Sequence, residues 1–266
     1  MNYKRSWFEP LVDDTEFLEA DFVDFRYPRH VHETFAIGVI ERGAQRFASK
    51  SGETLMPSHT LCVVDPDVVH WGWPATEVGW RYRMFYPSVR VVEAALDTAR
   101  IADRFGFGEA VIDDPELFAR FGGLHRRASA GDRLGLDDDV TSFLADLCAR
   151  HGRGLQLQPT ADCARAAATA REYLHAHVFS DVRLADLAAA TGVSEAHVSR
   201  SFRRAFGMAP YAYLLAVRIE RSKQMLVSGR RIAEVAAACG FHDQSHFHRT
   251  FRRLVGVPPG RFVRNT

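Results

Sequence analysis

The sequence lacks the features of a membrane or secreted protein. No apolar run approaches the roughly 20 residues of a membrane-spanning helix, and the basic start "MNYKRSWFEPLVDD" is not followed by the apolar core of a signal peptide. The four cysteines, Cys62, Cys148, Cys163 and Cys239, form no CxxC pair and stand among apolar residues. This usage predicts reduced, buried thiols in a cytoplasmic protein.

Common catalytic motifs are missing as well. The chain has no GxGxxG fingerprint, no P-loop and no visible Ser/His/Asp triad. Dinucleotide-dependent, nucleotide-hydrolysing and serine-hydrolase chemistry is therefore not indicated. We expect that the chain is not an enzyme.

Charge is distributed unevenly along the chain. Residues 1–159 hold 18 Lys and Arg against 25 Asp and Glu, a net charge of −7. Residues 160–266 hold 16 against 8, a net charge of +8, and 15 of those 16 cations are arginine. A basic half beside an acidic half indicates a polyanionic partner for the basic half.

The order of patterns predicts an α+β chain. Up to about residue 87, short β-branched and aromatic segments alternate with turn formers, which predicts a β-barrel or jelly-roll over about 15–87. Within it, "TFAIGVIERG" is expected to end in a Gly-containing turn. From about residue 88 to 151, apolar residues recur every three or four positions, which predicts helices. A linker at 152–160 is predicted to separate a first domain, 1–151, from an all-α domain, 161–266.

The all-α domain consists of a repeated pattern. "LADLAAATGVSEAHVSRSFRRAFG" and "RIAEVAAACGFHDQSHFHRTFRRLVG" each predict two helices, with Gly192 or Gly240 in the turn and Ser194 or Asp243 as the cap of the second helix. "FRRAFGMAP" (202–210) and "FRRLVGVPP" (251–259) match at five positions with an offset of 49 residues. Two helix-turn-helix units joined by a long helix, "YAYLLAVRIERSKQMLV", are therefore predicted.

The second helix of such a unit enters the major groove of DNA, while its inner face packs on the first helix. The predicted inner stripes are Val198, Phe202 and Phe206, and Phe247, Phe251 and Val255. Arginine can bond guanine bidentately and glutamine can bond adenine likewise. Phosphate contacts, which fix position without reading sequence, are predicted for Arg203, Arg204, Arg230, Arg231, Arg252 and Arg253.

The C-terminal stretch "GFHDQSHFHRTFRRLVGVPPGRFVR" closely resembles the signature of AraC/XylS-family transcription regulators. The resemblance covers about residues 160–266 and rests on the Gly-Phe, Asp-Gln-Ser, Phe-x-Arg-x-Phe and Gly-x-x-Pro elements. It implies that both recognition helices contact successive major-groove segments. Carried over position by position, it implies base contacts by Ala196, Ser199, Arg200, Gln244, Ser245, His248 and Arg249.

The acidic half carries a group of histidines. In "RHVHETFAIGVIERG", His30 and His32 alternate, so they point to one face of a strand, and His70 precedes another strand. Together they resemble the metal face of a cupin barrel, and the likeness extends to the N-terminal sensor domain of AraC-type regulators. The glutamate usual in metal cupins is replaced by Ala36 or Ile37. A three-histidine metal site stays open, but we favour histidines that line an effector pocket, and no cofactor is expected.

A polar barrel mouth suits a small effector. The predicted pocket residues are Arg26, Tyr27, His30, His32, His70, Trp71, Trp73, Trp80 and Tyr82. An apolar stripe on the helices that follow could pair with a second subunit or cover the barrel, and the pattern does not separate these. It comprises Leu117, Phe118, Phe121, Leu124, Phe143, Leu144 and Leu147.

These patterns predict a cytoplasmic, sequence-specific transcription regulator. Its predicted partners are double-stranded promoter DNA, a small-molecule effector, a second copy of the chain in a homodimer, and RNA polymerase. The alternative is a metal-dependent cupin enzyme or a metal sensor fused to a DNA-binding module.

Overall fold

The computed structural model describes residues 3–99, 105–154 and 162–264. In this part of the chain, antiparallel strands come first and helices follow. The predicted α+β class, with a sheet-rich N-terminal domain and a helical helix-turn-helix region, is confirmed. No helix in the described ranges combines the length and the apolar character that a membrane span requires.

The N-terminal strands form two sheets that share one long strand. The strands are β1 (Tyr3–Glu9), β2 (Thr15–Phe22), β3 (Tyr27–His30), β4 (Ala36–Ser49), β5 (Gly52–Pro57), β6 (Leu61–Val64), β7 (His70–Pro74) and β8 (Trp80–Tyr86). One sheet runs β1-β2-β8-β4-β6, while β5 and β7 pair with the second half of β4 and β3 pairs with β7. Leu18 and Phe22 from one sheet and Phe47 and Met56 from the other share a single apolar cluster. We call this double sheet the barrel.

Strand β4 corrects one prediction. "TFAIGVIERG" does not end in a chain-reversing turn, because β4 continues from Ala36 to Ser49. Gly43 has a φ of +72°, and the pairing of β4 with β8 shifts register between Ile40 and Arg42. A Cβ at Gly43 would lie 1.9 Å from the Gly79 carbonyl oxygen, so only glycine fits there. The glycine bends the strand from one sheet into the other, as β-bulges do.

The segment after the barrel is mixed rather than all-helical. Helices α1 (Val89–Ala99), α2 (Pro115–Ser129) and α3 (Leu136–His151) alternate with β9 (Phe105–Phe107) and β10 (Val111–Ile112). A further strand, β11 (Gly152–Gly154), pairs with β9 and occupies the start of the predicted linker. Residues 155–160 of that linker lie outside the described ranges. Strand β1 lies ahead of residue 15, where the barrel was expected to begin.

The apolar stripe of α2 and α3 covers the barrel. Phe121 and Phe143 are fully buried and pack against Phe85 of β8 and against each other in tilted or edge-on contacts, with ring centroids 5.5–6.1 Å apart. Leu117, Leu124, Leu144 and Leu147 are buried in the same cluster, and Phe118 packs at its edge. The stripe is therefore buried within one chain, which is the second of the two alternatives that the sequence left open.

The C-terminal part consists of helices around two apolar clusters. They are α4 (Asp162–Ala176), α5 (Leu184–Thr191), α6 (Glu195–Phe206), α7 (Pro210–Val227), α8 (Ile232–Ala238), α9 (Gln244–Val255) and α10 (Pro259–Arg264). Helix α7 is the predicted long connector and contributes to both clusters. Val31 and Val69 of the barrel belong to the first cluster, so the two parts of the chain share apolar packing. Cys62, Cys148 and Cys239 are buried free thiols, while the side chain of Cys163 is not described.

Candidate effector cavity and DNA-binding surface

The two helix-turn-helix units, α5–α6 and α8–α9, use the same local devices. Gly192 and Gly240 have φ values of +69° and +71°, which let the chain turn after the first helix of each unit. Ser194 Oγ accepts the His197 N–H at 3.3 Å, and Asp243 Oδ1 accepts the His246 N–H at 2.7 Å. The caps predicted from the sequence are confirmed, and they fix where each recognition helix begins.

The inner stripes of the recognition helices are buried as predicted. Val198, Phe202, Phe247 and Phe251 have no exposed surface, and Val255 is 3% exposed. Phe206, at the end of the first stripe, is half-buried. This packing turns the opposite face of α6 and α9 outward.

The residues predicted to contact DNA lie on that outward side. Ala196, Arg200, Gln244, Ser245, His248 and Arg249 are exposed, as are all six arginines predicted to bind phosphates. Ser199 is half-buried and lines a small groove beside Tyr211. Contact of these side chains with DNA stays a prediction.

Three of the phosphate-binding candidates have protein neighbours that the sequence did not indicate. Arg231 Nε donates a 2.7 Å hydrogen bond to Glu234 three residues later, at the start of α8. Arg203 and Arg253 line a shallow groove together with Arg29 of the barrel. Arg29 donates a hydrogen bond to the Gly207 carbonyl oxygen, so the ends of the recognition helices lie close to the barrel.

A cavity lies between the inner face of the barrel and helix α7. The barrel contributes Tyr27, Tyr82 and Tyr86 with the apolar side chains of Phe47, Met56 and Met84. Helix α7 contributes Ala216, Ile219, Glu220 and Lys223, and the end of α9 contributes Leu254 and Val255. One wall of the cavity therefore belongs to the C-terminal helices.

The cavity includes part of the pocket predicted from the sequence. Tyr27, His30, His32, His70 and Tyr82 line it. Arg26 is exposed, Trp71 packs under the guanidinium of Arg29, and Trp73 lies outside the lining. Trp80 is fully buried against Phe22 and Tyr82 in the core. Trp71 and Trp73 alternate along β7 with the cavity residues His70 and Gly72, so strand alternation turns them to the other face. Trp80 shares a face of β8 with Tyr82 but lies at the start of the strand, where it packs in the core, and Arg26 lies just before β3. These four are therefore not cavity residues.

Charged groups at the cavity form a buried network. Lys223 Nζ donates to Glu16 Oε2 at 3.0 Å and to Glu220 Oε1 at 2.7 Å, and its side chain is 4% exposed. Burial alone would lower the pKa of Lys223, but the two carboxylates raise it above its ordinary range. Lys4 Nζ donates to the Val255 carbonyl oxygen at 3.1 Å. Burial and the nearby Lys223 lower the pKa of Lys4 to about 7.

The three histidines converge at the same cavity. His30 closes β3 and stands directly opposite His70, the first residue of β7. Their ring centroids are 4.1 Å apart, and that of His32 lies 5.1 Å from His30 and 5.4 Å from His70. Burial and the neighbouring imidazoles lower the pKa of His30 well below its usual value and that of His70 to about 3. Burial therefore favours the neutral form of both rings.

Hydrogen bonds between the two parts surround the cavity. Arg221 donates two hydrogen bonds to Glu33, at 2.8 and 2.7 Å, and His175 Nδ1 lies 2.8 Å from the same carboxylate. Burial alone would raise the pKa of Glu33, but Arg221 and His175 hold it at about 2. The Tyr213 hydroxyl donates to Asp67 at 2.8 Å. The loops on either side of the histidines are thereby tied to α4 and α7.

Sequence reasoning missed Lys4, Tyr86, Glu220 and Lys223 as cavity residues. One signal was available: the chain contains only three lysines, Lys4, Lys50 and Lys223, and two of them line the cavity. Lys223 is the single lysine among the 16 cations of the basic half. In a chain that otherwise uses arginine, these positions stand out.

Solved structures with a similar fold include ToxT from Vibrio cholerae O395, with 12% identity and a TM-score of 0.60, covering 99% of this chain and 96% of that one. An unsaturated fatty acid-bound ToxT from strain SCE256 has 11% identity and a TM-score of 0.57, over 98% and 93%. ToxT bound to (E)-4-(8-methylnaphthalen-1-yl)but-3-enoic acid is similar at 11% identity and a TM-score of 0.59, over 99% and 97%. At these identities the likeness shows a shared fold.

Sequence relatives are transcription regulators. The HTH-type transcriptional regulator YbfI of Bacillus subtilis strain 168 is 27% identical over 226 residues, which span 83% of this chain and 81% of YbfI. The transcriptional activator NphR of a Rhodococcus species is 35% identical over 107 residues, spanning 40% of this chain and 31% of NphR.

Family models match both parts of the chain. Residues 14–144 match the AraC-like ligand binding domain, and residues 187–265 match a helix-turn-helix domain. The first match lies in the sheet-rich part and the second in the helical part, and residues 145–186 between them, which include α4, are not matched. The chain belongs to the AraC family of transcription regulators, with an N-terminal ligand-binding domain and a C-terminal DNA-binding domain.

Proposed function

We propose that this regulator is controlled by a small molecule that binds in the cavity between the barrel and α7. The observation that carries the proposal is the composition of the cavity wall: Tyr27 and Tyr82 of the barrel face Glu220 and Lys223 of α7 across the same space. A ligand there contacts both the ligand-binding and the DNA-binding part. Its binding energy then depends on how the two parts are arranged, which is the condition for a ligand to shift that arrangement.

We propose a small carboxylic acid with an apolar body as the effector class. Lys4 supplies a cationic group, because the charge of Lys223 is already compensated by Glu16 and Glu220, while Phe47, Met56 and Met84 supply apolar walls. The lowered pKa of Lys4 fits this class, because an anion beside the buried amine would stabilise its charged form. Two of the similar ToxT structures hold an unsaturated fatty acid and a butenoic acid derivative, both carboxylic acids.

A thermal-shift screen of the full-length chain tests this proposal, since only a ligand of the folded state raises its stability. Carboxylic acids of increasing apolar size are compared with their uncharged amides. We expect acids to raise the melting temperature more than their amides, and Lys4→Met to remove the difference while the exposed-lysine control Lys50→Met retains it. Equal shifts for acids and amides in the wild-type chain would contradict the proposed effector class.

We propose that α6 and α9 read bases through the seven residues implied by the family resemblance, from Ala196 to Arg249. Six of the seven are exposed on the outward faces of the two recognition helices, and Ser199 is half-buried, which supports this role. Arg204, Arg230 and Arg252 are proposed to bind phosphates from the same side, together with Arg203, Arg231 and Arg253 after local rearrangement of their present neighbours.

The remaining assignments are proposals of the same kind. We propose division into 1–151, 152–160 and 161–266, a cytoplasmic protein without enzymatic activity, and a homodimer at the promoter that contacts RNA polymerase. The regulators among its relatives support a non-enzymatic role. Mass determination of the chain with and without promoter DNA tests the homodimer.

A further inference from the structure

The histidine cluster has the shape of a metal site. One ring nitrogen from each of His30, His32 and His70 lies within 4.8 Å of the other two. When three atoms are so spaced, some point lies within about 2.8 Å of all of them, so shifts of under about 1 Å would reach the 2.0–2.1 Å of a metal–imidazole bond. Two of the residues are fixed opposite each other by the pairing of β3 with β7.

Backbone hydrogen bonds orient two of the rings for metal binding. His30 Nδ1 lies 2.8 Å from the Pro28 carbonyl oxygen, and His70 Nδ1 lies 2.9 Å from that of Val68. A carbonyl oxygen can only accept, so each Nδ1 carries the proton and each Nε2 keeps a free lone pair. Metal-binding histidines almost always have such a partner on the nitrogen that does not bind the ion.

The third histidine lies against a carboxylate of α7. His32 Nδ1 is buried and lies 3.3 Å from Glu220 Oε2, an ion-pair distance, without making a regular hydrogen bond to any described residue. In metal-binding histidines a carboxylate is a common partner of the ring nitrogen that does not bind the ion. The negative charge of Glu220 would also attract a cation beside His32.

We propose that His30, His32 and His70 bind a divalent first-row transition-metal ion at the wall of the cavity. Imidazole ligands favour zinc, copper, iron and nickel over calcium or magnesium. Three protein ligands leave a position toward the cavity, where water or an oxygen of a bound molecule completes the coordination. The carboxylate of Glu220, which belongs to α7, lies beside the site and would attract the bound ion. Binding of the ion would therefore also affect the position of α7 in the DNA-binding part. The inference goes beyond the proposed effector function and does not depend on it.

Metal titration of the full-length chain tests the site. The protein is made without a polyhistidine tag, treated with chelator, and titrated with Zn²⁺ by calorimetry and with Co²⁺ by visible absorption. We expect one ion per chain with a dissociation constant below about 1 μM, and the intense d–d absorption of Co²⁺ in a site with few ligands. Loss of an outer partner alone typically costs about 10–100-fold in affinity, so His70→Asn and His32→Asn should each lose at least about 100-fold.

His59→Asn is the matched control, because His59 is an exposed histidine of the same barrel. It should bind Zn²⁺ and Co²⁺ like the wild type. Circular dichroism establishes that each variant is folded. The Co²⁺ spectrum of the wild-type chain tests the site directly and does not depend on the folding of any variant. The proposal is overturned if the wild-type chain binds neither ion more tightly than His70→Asn does, or if His59→Asn loses binding equally. A chain that responds to a carboxylic acid yet binds no metal would overturn this site alone.

Discussion

At the scale of single residues, Lys223 has the most consequential environment. Its ammonium group lies between Glu16 and Glu220 and is almost fully buried. Removal of one partner from a buried ion network costs about 3–5 kcal/mol, since the remaining charges are left uncompensated. We therefore expect Lys223→Met to lower the free energy of unfolding by that amount in urea titrations. Lys50→Met, at an exposed lysine, should change it by less than about 0.5 kcal/mol; equal effects would contradict the charged network.

Substitutions at Arg200 and Arg204 distinguish base reading from phosphate binding on the same helix. Both are exposed on α6. Arg200→Ala should lose about 1–3 kcal/mol of binding free energy at one base pair and relax specificity there. Arg204→Ala should weaken all sequences similarly and reduce the slope of log affinity against log salt by about one. Binding to promoter and random duplexes at several salt concentrations checks both, and uniform weakening by Arg200→Ala would refute its assignment as a base reader.

At the scale of elements, the helix caps tie local sequence to the DNA-binding surface. Ser194 and Asp243 each satisfy a backbone N–H at the start of a recognition helix. Each substitution to alanine should cost about 1 kcal/mol of unfolding free energy and speed amide exchange in the first turn of α6 or α9. Ser245→Ala, one residue inside α9 and not a cap, should leave the unfolding free energy nearly unchanged. A cost at Ser245 as large as at Asp243 would show that capping is not the cause.

The elements also show which features could be predicted from the sequence. The helix-turn-helix units were predictable because caps, turns and apolar stripes act over four to eight residues. The bend of β4 at Gly43 could not be predicted, because a glycine with positive φ occurs in chain-reversing turns and in β-bulges alike. The sequence also did not determine which surface packs against the apolar stripe of α2. Apolar spacing predicts that a helix face is buried, but it does not predict which element covers that face. The ring of Phe121 packs against that of Phe85, which lies 36 positions earlier in the chain and could not be identified from local spacing.

At the scale of the whole molecule, a polar contact joins the barrel to the DNA-binding helices. Glu33 accepts two hydrogen bonds from Arg221 and also lies against His175. Glu33→Gln removes the charge and one acceptor, so we expect faster hydrogen exchange in the loop 31–35 and in α7. Glu53→Gln, which pairs with Arg46 within the barrel, should leave both segments unchanged. Identical exchange in wild type and Glu33→Gln would show that this contact does not hold the two parts together.

The histidine cluster was only partly predictable, because local spacing does not specify long-range contacts. His30, His32 and His70 could be grouped because the HxH spacing and the strand pattern point to one face. Their convergence at one point, the backbone partners of their rings and the proximity of Glu220 come from long-range pairing. The sequence favoured a pocket role for these histidines over metal binding, whereas the geometry supports a metal site within the pocket wall.

The central claim is that a ligand in the shared cavity controls DNA binding, and it is tested most directly by linkage. Promoter affinity is measured by fluorescence anisotropy with and without a saturating carboxylic acid from the thermal-shift screen, and acid affinity is measured with and without DNA. We predict a 5–150-fold change in DNA affinity, as expected for a coupling free energy of about 1–3 kcal/mol, and an equal change in acid affinity. An acid that saturates the cavity while promoter affinity stays the same would contradict the claim.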